Sequence, residues 1–570
     1  MNKASSGFYF IRKSPLLRAL CLLLCVAAFA VVSIILGAHS KQPPEIYSVT
    51  PPVGMPGDVV TISGANFGSG RDSSSVNFGG CSLTSSAYLS WSDTEIKAVL
   101  PANVQEGLVV ISTKHGKSKP AFFANASTAP VAAPKNPVSI LPAVTRISPD
   151  RPAPGTLITI SGKNFGNSRE KSAVFFSVSR EQSGSEEAGL KQEAAGDLNF
   201  IPANEDDFDY VSWSDTEISL YVPDGAASGP MYVETPRGSS AKQKITVSKN
   251  AGIKNYLSPK TYVVQIAADV EDSSADKDST IILRCPRPAV SSAQPSVRLI
   301  ECSPEPIISD FQHTVIHQII GGKNSGGGAK KRFIQNFAVT VYETRTSITA
   351  AKLDSMSTVN RALYNYATRP NSCVPSDNED VKELALKIIK AERNPYNIAA
   401  LLYNYMLNTF TILQKPRAGT ASPLDLLRTK KGDAYDFAMI YTAMLRATGI
   451  PALADSGIIV SADLQTKNHW WCEFYLPGFG WVPADPALGA GLEFQSWQKD
   501  IQPPAYYFGN LDAQHILISR GWNEIKPSSP NNKTVRRPKS FALQSIWEEA
   551  SGKSITYSSY WADPVIIGVY

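Results

Sequence analysis

Cysteine and histidine are scarce in this chain, which has seven cysteines and six histidines among its 570 residues. Cys21 and Cys25 lie inside an apolar N-terminal run, and the other five cysteines are dispersed over the rest of the sequence. An odd, sparse set of this kind excludes a disulfide-rich scaffold, and none of the cysteines has the spacing of metal ligands. The sequence therefore predicts no bound metal and no cofactor. Cys285 and Cys302 are close enough in the sequence to pair within one β-domain.

Net charge is also small for a chain of this size. The 55 basic and 50 acidic residues leave a formal charge of +5. Basic residues cluster only at 330–332 and 536–539, and both clusters lie beside stretches rich in Gly, Ser or Asn. Such clusters are typical of solvated loops and not of the continuous basic face that binds nucleic acid. The sequence therefore predicts no nucleic-acid partner.

A single long apolar run lies near the N-terminus. Residues 19–38 contain no charge over 20 positions, and they follow the basic residues Lys3, Arg12, Lys13 and Arg18. A helix of this length crosses a bilayer, whereas the apolar part of a cleaved signal peptide usually has ~7–15 residues. Positive charge on the N-terminal side keeps that end inside and exports the rest of the chain. Residues 1–40 are therefore predicted to be a signal-anchor, with the remainder periplasmic or extracellular.

Two segments of the chain repeat each other. The sequence GDVVTISGANFG at 57–68 returns as GTLITISGKNFG at 155–166, an offset of 98 residues. The sequence LSWSDTEI at 89–96 returns as VSWSDTEI at 211–218, an offset of 122 residues. The two offsets differ by 24 residues, which indicates an insertion in the second copy, in the Glu-, Gly- and Ser-rich stretch around 183–207.

Both copies alternate apolar and polar residues in short runs between Gly, Pro and Asn turns, the pattern of a small β-sandwich. Their shared Ile-Ser-Gly-x-Asn-Phe-Gly motif, with Pro-Gly ahead of its strand, resembles the IPT/TIG immunoglobulin-like domain. The resemblance implies sandwiches at 41–125 and 143–249, joined by an Ala- and Pro-rich linker at 126–142. Trp91 and Trp213 are predicted to fill the cores. Such domains would serve as spacers or adhesion modules that lift the C-terminal part away from the membrane.

A third β-sandwich is predicted over residues 250–350, where runs such as 262–266 and 337–342 are rich in Val, Ile, Tyr and Phe. Helical spacing begins near residue 353, so residues 351–570 are predicted to form an α+β core with the C-terminal segment. The predicted architecture is therefore multidomain: an N-terminal transmembrane helix, all-β immunoglobulin-like sandwiches and an α+β domain.

The most informative part of the α+β region is residues 430–488. A glycine turn opens a helix with apolar residues at helical spacing, and Gly-Ile-Pro at 449–451 ends it. Two β-runs follow, and in a hairpin centred on Pro477 the side chains of His469 and Asp485 come close to facing each other. A helix N-terminus followed by His and Asp on neighbouring strands is the layout of a cysteine-nucleophile triad.

Three motifs mark this stretch: LRATGIPA at 445–452, HWW at 469–471 and GWVPADP at 480–486. Together they resemble the transglutaminase-like core of the papain-like superfamily. The resemblance implies that His469 and Asp485 occupy catalytic positions. Trp470, Trp471 and Trp481 are predicted to pack in the core rather than to contact a ligand.

The position of the family's nucleophilic cysteine is occupied by Ala434, whose methyl group cannot form a thioester. Other side chains could replace the thiol. Cys472 is predicted to face away from the histidine, because strand side chains alternate. Asp433 and Asp436 have the spacing of a helix N-cap and its acidic partner, and residues 432–441 contain neither Ser nor Thr.

The leading hypothesis is a membrane-anchored, exported protein with a catalytically inactive transglutaminase-like domain that binds or scaffolds peptide, protein or cell-wall material. One alternative is an active hydrolase or transamidase of the same superfamily that uses another nucleophile. A second alternative is a surface adhesion protein that acts through its IPT/TIG domains. The sequence indicates no oligomeric state.

Overall fold

The computed structural model describes most of the chain. The described residues are 15–16, 19, 23–24, 26–30, 42–101, 104, 107–125, 141–181, 198–275, 280–311, 313–320, 330–417, 422–521, 533–535, 547–551 and 555–570. No helix among these residues is long and apolar enough to cross a membrane. Most of the predicted anchor at 19–38 lies outside the described residues, as do residues 126–140 of the predicted linker and residues 182–197 of the predicted insertion.

The described residues of the first β-sandwich form ten strands. They are β1 (Glu45–Thr50), β2 (Val53–Gly54), β3 (Val59–Ala65), β4 (Ser75–Phe78), β5 (Cys81–Ser82), β6 (Tyr88–Trp91), β7 (Glu95–Val99), β8 (Gly107–Thr113), β9 (Gly116–Lys117) and β10 (Ala121–Asn125). One sheet has the order β1-β3-β7-β6, and the other has β2-β10-β8-β4-β5 with β9 beside β8. Alternate residues of β3, such as Val60 and Ile62, are buried between the sheets, as the period of two predicts.

The second β-sandwich repeats this arrangement. Its strands are β11 (Ala143–Ser148), β12 (Leu157–Lys163), β13 (Ala173–Val178), β14 (Phe200–Pro202), β15 (Tyr210–Trp213), β16 (Glu217–Tyr221), β17 (Ala226–Thr235), β18 (Gly238–Ser239) and β19 (Gln243–Ile245). The sheet β11-β12-β16-β15 has the same strand order as β1-β3-β7-β6. The second sheet is β14-β13-β17-β18, with β19 beside β17. The predicted β-rich sandwiches are therefore confirmed.

The structure shows why the two repeated motifs occur together in each copy. The indole N–H of Trp91 donates to the carbonyl oxygen of Phe67 at 3.0 Å, and Trp213 donates to Phe165 in the same way at 3.1 Å. Both tryptophans are partly buried and pack against the core of their sandwich. The tryptophan motif and the glycine motif are therefore in contact in each copy. The tryptophan holds the turn that follows β3 in the first sandwich and β12 in the second.

Two very long strands form the centre of the third β-sandwich. Its strands before the core are β20 (Gly252–Ala275), β21 (Thr280–Pro286), β22 (Ser296–Ser303), β23 (Ile308–Phe311), β24 (Thr314–Ile320) and β25 (Lys330–Ile348). The pairing of β20 with β25 runs from Gly252 opposite Ile348 to Glu271 opposite Lys330, with one register shift.

The α+β core follows. Its helices are α1 (Arg361–Thr368), α2 (Glu379–Ile389), α3 (Pro395–Thr409), α4 (Asp425–Thr429), α5 (Ala434–Ala447), α6 (Pro486–Gly489) and α7 (Pro503–Tyr506). Its strands are β26 (Thr411–Ile412), β27 (Lys431–Gly432), β28 (Ala452–Val460), β29 (Thr466–Leu476), β30 (Gly480–Ala484) and β31 (His515–Arg520), and the main sheet has the order β30-β29-β28-β31. Helix α5 is buried along nearly its whole length and packs on this sheet with Trp470, Cys472 and Phe474.

The C-terminal strands return to the third sandwich. They are β32 (Lys533–Val535), β33 (Trp547–Ser551), β34 (Ile555–Trp561) and β35 (Val565–Val569). Strand β33 pairs with β21, and both β34 and β35 pair with β20. The sequence grouped this segment with the core, because nothing local in it shows which distant strand it will join. Ile458 and Ile516 of the core sheet share a hydrophobic cluster with the third sandwich, so the two units pack together.

Candidate functional site

The start of α5 is held by a reciprocal cap. Asp433 Oδ1 accepts a hydrogen bond from the N–H of Asp436 at 3.2 Å, and Asp436 Oδ2 accepts one from the N–H of Asp433 at 2.9 Å. Arg417 binds both carboxylates: its backbone N–H donates to Asp433 at 2.7 Å and its guanidinium to Asp436 at 2.5 Å. Ala434, the first residue of the helix, is only 8% exposed. These acids therefore serve helix capping and an ion pair, as their spacing predicts.

The hairpin of β29 and β30 has a different register from the predicted one. Leu476 pairs with Gly480, so the hairpin is centred on Gly478 and not on Pro477. Gly478 has a φ of +77°, a conformation that favours glycine and allows the three-residue loop. This register makes Asp485 a diagonal neighbour of His469 rather than its direct partner. A shift of two positions leaves both side chains on the same face of the sheet.

The structure brings His469 and Asp485 together. His469 Nε2 lies 2.6 Å from Asp485 Oδ2, and both side chains are almost fully buried. The other carboxylate oxygen of Asp485 accepts the backbone N–H groups of Ala487 and Leu488 at 3.0 and 2.9 Å. Burial alone raises the pKa of Asp485, but the charges and hydrogen bonds of the neighbouring imidazoles outweigh it and hold this pKa well below its usual range.

A second histidine completes this cluster. His515 Nε2 lies 3.2 Å from the same Asp485 Oδ2, and His515 Nδ1 lies 2.7 Å from Asp512 Oδ1. The hydroxyl of Tyr507 donates to Asp512 Oδ2 at 2.8 Å. Burial lowers the pKa of His515, but the charge of Asp512 and the hydrogen bonds to both carboxylates exceed that effect and raise this pKa to about 9.

Sequence reasoning missed His515 and Asp512 as site residues. Strand β31 reaches the site by pairing with β28, and no short-range pattern predicts this pairing. A signal was nevertheless present, because His515 opens an apolar run and Asp512 stands three residues before it.

One group of potential metal ligands occurs among the residues that the structure describes. It consists of His469, Asp485 and His515, whose ligand atoms all lie within 4.8 Å of one another. The sequence predicted no metal, because none of the cysteines has the spacing of metal ligands. That expectation considered ligands close in sequence, whereas these three come from three separate strands or strand ends.

The thiols of the core are buried. Cys472 packs on the α5 side of β29 and donates to the carbonyl oxygen of Ala484 at 3.3 Å. Burial raises the pKa of Cys472 far above its usual range, and nearby carboxylates raise it further, so the thiol stays protonated. Cys373 is 7% exposed and hydrogen-bonds with the side chain of Tyr435. The five described cysteines are all free thiols, so the pairing of Cys285 with Cys302 is wrong for this structure.

A cavity of about 630 Å³ lies between the second sandwich, the third sandwich and the core. Its wall from the core includes His515, Trp471, Trp481, Glu473 and Arg520. The imidazole of His515 lies edge-on to the Trp471 ring at 5.2 Å between centroids, so the buried cluster adjoins the cavity.

Charges line one side of this cavity. Arg520 forms an ion pair with Asp207 at 2.7 Å and binds Glu473. Burial raises the pKa of Glu473 to about 7, although the charge of Arg520 opposes the rise. Asp455 is 2% exposed, and its Oδ1 atom has no hydrogen-bond partner among the described residues. Burial and the charge of Glu473 raise the pKa of Asp455 well above its usual range.

The three tryptophans of the motifs have different surroundings. Trp470 packs on Tyr435 with ring centroids 5.7 Å apart, a contact between β29 and α5. Trp471 and Trp481 both line the cavity, and the indole N–H of Trp481 donates to Asp207 at 3.0 Å. Trp470 therefore packs in the core, as predicted. Trp471 and Trp481 instead lie at the cavity wall, where a ligand could contact them.

Comparisons with known proteins identify the domains. Residues 382–486 match the model of the transglutaminase-like superfamily, and residues 44–130 and 142–180 match that of the IPT/TIG domain. The chain therefore carries a transglutaminase-like domain and IPT/TIG domains, as its motifs predicted. Ala434, His469 and Asp485 all lie within the matched transglutaminase-like segment.

Several proteins share parts of this chain. An uncharacterised protein of Haemophilus influenzae is 29% identical over 24% of this chain and 45% of its own length. A cyclomaltodextrin glucanotransferase of Paenibacillus macerans is 44% identical over 12% of this chain and 10% of its own length. The chain thus spans less than half of either relative. The periplasmic domain of TgpA from Pseudomonas aeruginosa has 15% identity and a TM-score of 0.23, over 39% of this chain and 87% of that domain.

Proposed function

We propose that this protein is an exported binding protein whose transglutaminase-like domain performs no thiol chemistry. The observation that carries the proposal is Ala434, which stands at the first position of α5, where the family has its nucleophilic cysteine. An alanine methyl group has no lone pair and cannot attack a carbonyl carbon. The retained His469–Asp485 pair then has no nucleophile to deprotonate.

The neighbouring groups do not replace that nucleophile. Asp433 and Asp436 are occupied by the helix cap and by Arg417. The thiol of Cys472 lies on the α5 side of β29, and its raised pKa keeps it in the unreactive protonated form. These contacts favour the inactive reading over the hypothesis of an active hydrolase or transamidase.

The cavity between the three domains is the binding site in this proposal. Its volume of about 630 Å³ lies within the range of ligand sites, and its wall combines Trp471 and Trp481 with Glu473 and Arg520. Aromatic faces beside charged groups suit polar polymers such as peptides or cell-wall fragments. The orphan oxygen of Asp455 gives a ligand a hydrogen-bonding partner inside the site.

The predicted location fits this role. In the proposal, residues 19–38 anchor the chain with its N-terminus inside, and the IPT/TIG domains hold the core away from the membrane. A ligand at the cell surface would then reach the cavity without crossing the membrane.

The absence of thiol chemistry is tested by turnover of ester and glutamine-donor peptides with and without iodoacetamide. We expect no alkylation-sensitive turnover by the wild type. Ala434→Cys is the matched variant, because it places a thiol at the first position of α5, where the family has its nucleophile, and it is expected to gain such turnover. Alkylation-sensitive turnover by the wild type would contradict the proposal, and Cys373→Ser and Cys472→Ser would then locate the reacting thiol.

Binding is tested separately, by calorimetry with soluble peptidoglycan fragments. Val290 is 48% exposed and lines the cavity, so Val290→Trp should narrow the site and weaken binding. Val211 is 55% exposed and lies on β15 of the second sandwich, so Val211→Trp is the matched control. Equal binding by the two variants would show that the cavity is not the site.

A further inference from the structure

We propose that His469, Asp485 and His515 form a binding site for one divalent transition-metal ion of the zinc class. The proposal goes beyond the proposed function and does not depend on it, because it rests on these three side chains and not on Ala434. Its starting point is that two imidazoles from different strands share a single carboxylate oxygen.

The donor atoms converge on one point. Asp485 Oδ2 lies 2.6 Å from His469 Nε2 and 3.2 Å from His515 Nε2, and the three ligand atoms fall within 4.8 Å of one another. Bonds of ~2.0–2.2 Å from zinc to nitrogen and oxygen place the ligands of a tetrahedral ion roughly 3.4 Å apart. Shifts of about one ångström therefore convert this cluster into a metal site, in which the ion replaces the protons shared between the rings and the carboxylate.

The surrounding groups orient two of the three ligands as metal sites require. Asp485 Oδ1 is fixed by the N–H groups of Ala487 and Leu488, so Oδ2 is the oxygen that faces the imidazoles. His515 Nδ1 is bound to Asp512, which leaves Nε2 as the ligand atom. A carboxylate behind a ligating imidazole is a regular feature of zinc sites, because it fixes the tautomer and raises the basicity of the ring.

A catalytic triad that lacks its nucleophile explains fewer of these contacts than a metal site does. An orienting carboxylate in a triad needs one imidazole partner. The second imidazole on the same oxygen, with Asp512 and Tyr507 behind it, has no task in such a triad. Two imidazoles and one carboxylate, without thiolate, are ligands that suit zinc and its neighbours among the transition metals rather than Mg²⁺ or Ca²⁺.

The site also has an entry path. His515 and Asp512 both line the cavity between the three domains, so an ion can reach the buried ligands from that side. Three protein ligands leave the fourth position of a tetrahedral ion open for water or for a ligand oxygen. His515 is the ligand that lines the cavity.

The test measures zinc directly on the full-length chain, purified in mild detergent and stripped with a chelator. After dialysis against micromolar Zn²⁺, mass spectrometry of the metal content should give about one ion per chain. His515→Gln and His469→Gln should lower the affinity at least about tenfold, and Asp512→Asn, a change to a positioning residue, about 10–100-fold. His115→Gln, the same substitution in the turn between β8 and β9, is the matched control and should bind like the wild type.

A second measurement avoids reliance on variants that fail to fold. X-ray absorption at the zinc edge of the wild type should show a first shell of nitrogen and oxygen only, with the outer-shell scattering of two imidazoles. Wild-type protein without stoichiometric zinc, sulfur in the first shell, or folded His469→Gln and His515→Gln variants that keep full affinity would each overturn the proposal.

Discussion

Buried carboxyl groups in the core domain have pKa values that depend on their immediate neighbours. Asp485 receives two imidazoles on one oxygen and two backbone N–H groups on the other. The pKa values of Glu473 and Asp455 are raised instead, because the cost of burying their charge exceeds the opposing effect of Arg520. The buried carboxyl groups of Asp485, Glu473 and Asp455 therefore differ in pKa, because burial, neighbouring charges and hydrogen-bond donors are balanced differently at each.

The raised pKa of Glu473 makes folding stability depend on pH. Its folded-state pKa of about 7 exceeds the ordinary value of 4.5, so the folded state keeps a proton that the unfolded state releases between these values. This contribution to the free energy of unfolding is present below about pH 4.5 and is lost as the pH rises through 7, at about 1.4 kcal/mol per unit of pKa difference. We expect Glu473→Gln to remove a decline on the order of 2 kcal/mol.

Urea unfolding of the wild type and Glu473→Gln at pH 5 and pH 7.5 measures this effect. The exposed residue Glu217 provides the control substitution, Glu217→Gln, which should follow the wild type at both pH values. If Glu473→Gln shows the same pH dependence as the wild type, the burial argument for this group fails.

At the residue scale, the sequence predicts only the part of the site that local pattern contains. His469 and Asp485 sit in a hairpin and in family motifs, so their closeness was predictable even though the hairpin register was not. The shift arose because Gly478 adopts a positive φ and moves the loop by one residue. His515 joins through a pairing between β31 and β28 across more than fifty residues, which leaves no periodic trace.

Among the elements, α5 shows how charged side chains hold the start of a buried helix. Asp433 and Asp436 cap its first turn reciprocally. Arg417 binds Asp433 through its backbone N–H and Asp436 through its guanidinium. The side chain of Asp436 is fully buried, whereas that of Arg417 keeps 19% of its surface exposed. A buried carboxylate of this kind is stable only while its cation is present.

Removal of that cation should destabilise the core. Arg417→Met leaves the charge of Asp436 buried without its guanidinium, which should cost about 3 kcal/mol in the free energy of unfolding. Arg428→Met is the matched control, because Arg428 is 76% exposed and its ion pair with Asp425 lies at the surface. Urea denaturation followed by tryptophan fluorescence compares the two. Equal stabilities would show that the Arg417–Asp436 pair contributes nothing.

The two repeated sandwiches are the elements that the sequence predicts most completely. The repeated motifs predicted two sandwiches, and the structure gives the two copies the same order in their first sheet. This success has a physical basis, because short alternating runs and tight turns are local features. The hydrogen bond from the indole of Trp91 to the carbonyl oxygen of Phe67 connects the two motifs. The hydrogen bond from Trp213 to Phe165 does the same in the second copy.

At the scale of the whole molecule, the chain closes on itself. Strands β33, β34 and β35 complete both sheets of the third sandwich after the chain has passed through the core. Trp561 and Ala550 join the same hydrophobic cluster as Phe337 of β25 and Ile458 of the core sheet. The sequence did not predict this closure, because β20 and β34 are separated by the entire core domain.

Truncation tests this closure. A chain ending at Gly521 keeps β25 beside β20 and β24 beside β21 but lacks β33, β34 and β35. Its third sandwich should therefore expose apolar surface and become easier to cleave. Limited proteolysis with mass spectrometry should find new cleavage within 252–348 while residues 45–125 remain protected. A chain ending at Pro564 lacks only β35 and should show a smaller change. Unaltered protection of 252–348 in the shorter chain would contradict this role of the C-terminus.

The central claim, that the transglutaminase-like domain binds without acyl transfer, is tested most directly by trapping a covalent intermediate. Wild-type protein is incubated with an activated acyl donor, such as a p-nitrophenyl ester, then quenched in acid and analysed by intact-mass spectrometry. The account predicts no acyl adduct on the wild type, because Ala434 offers no nucleophile and Cys472 stays protonated. An adduct on any cysteine that disappears in His469→Ala would contradict it.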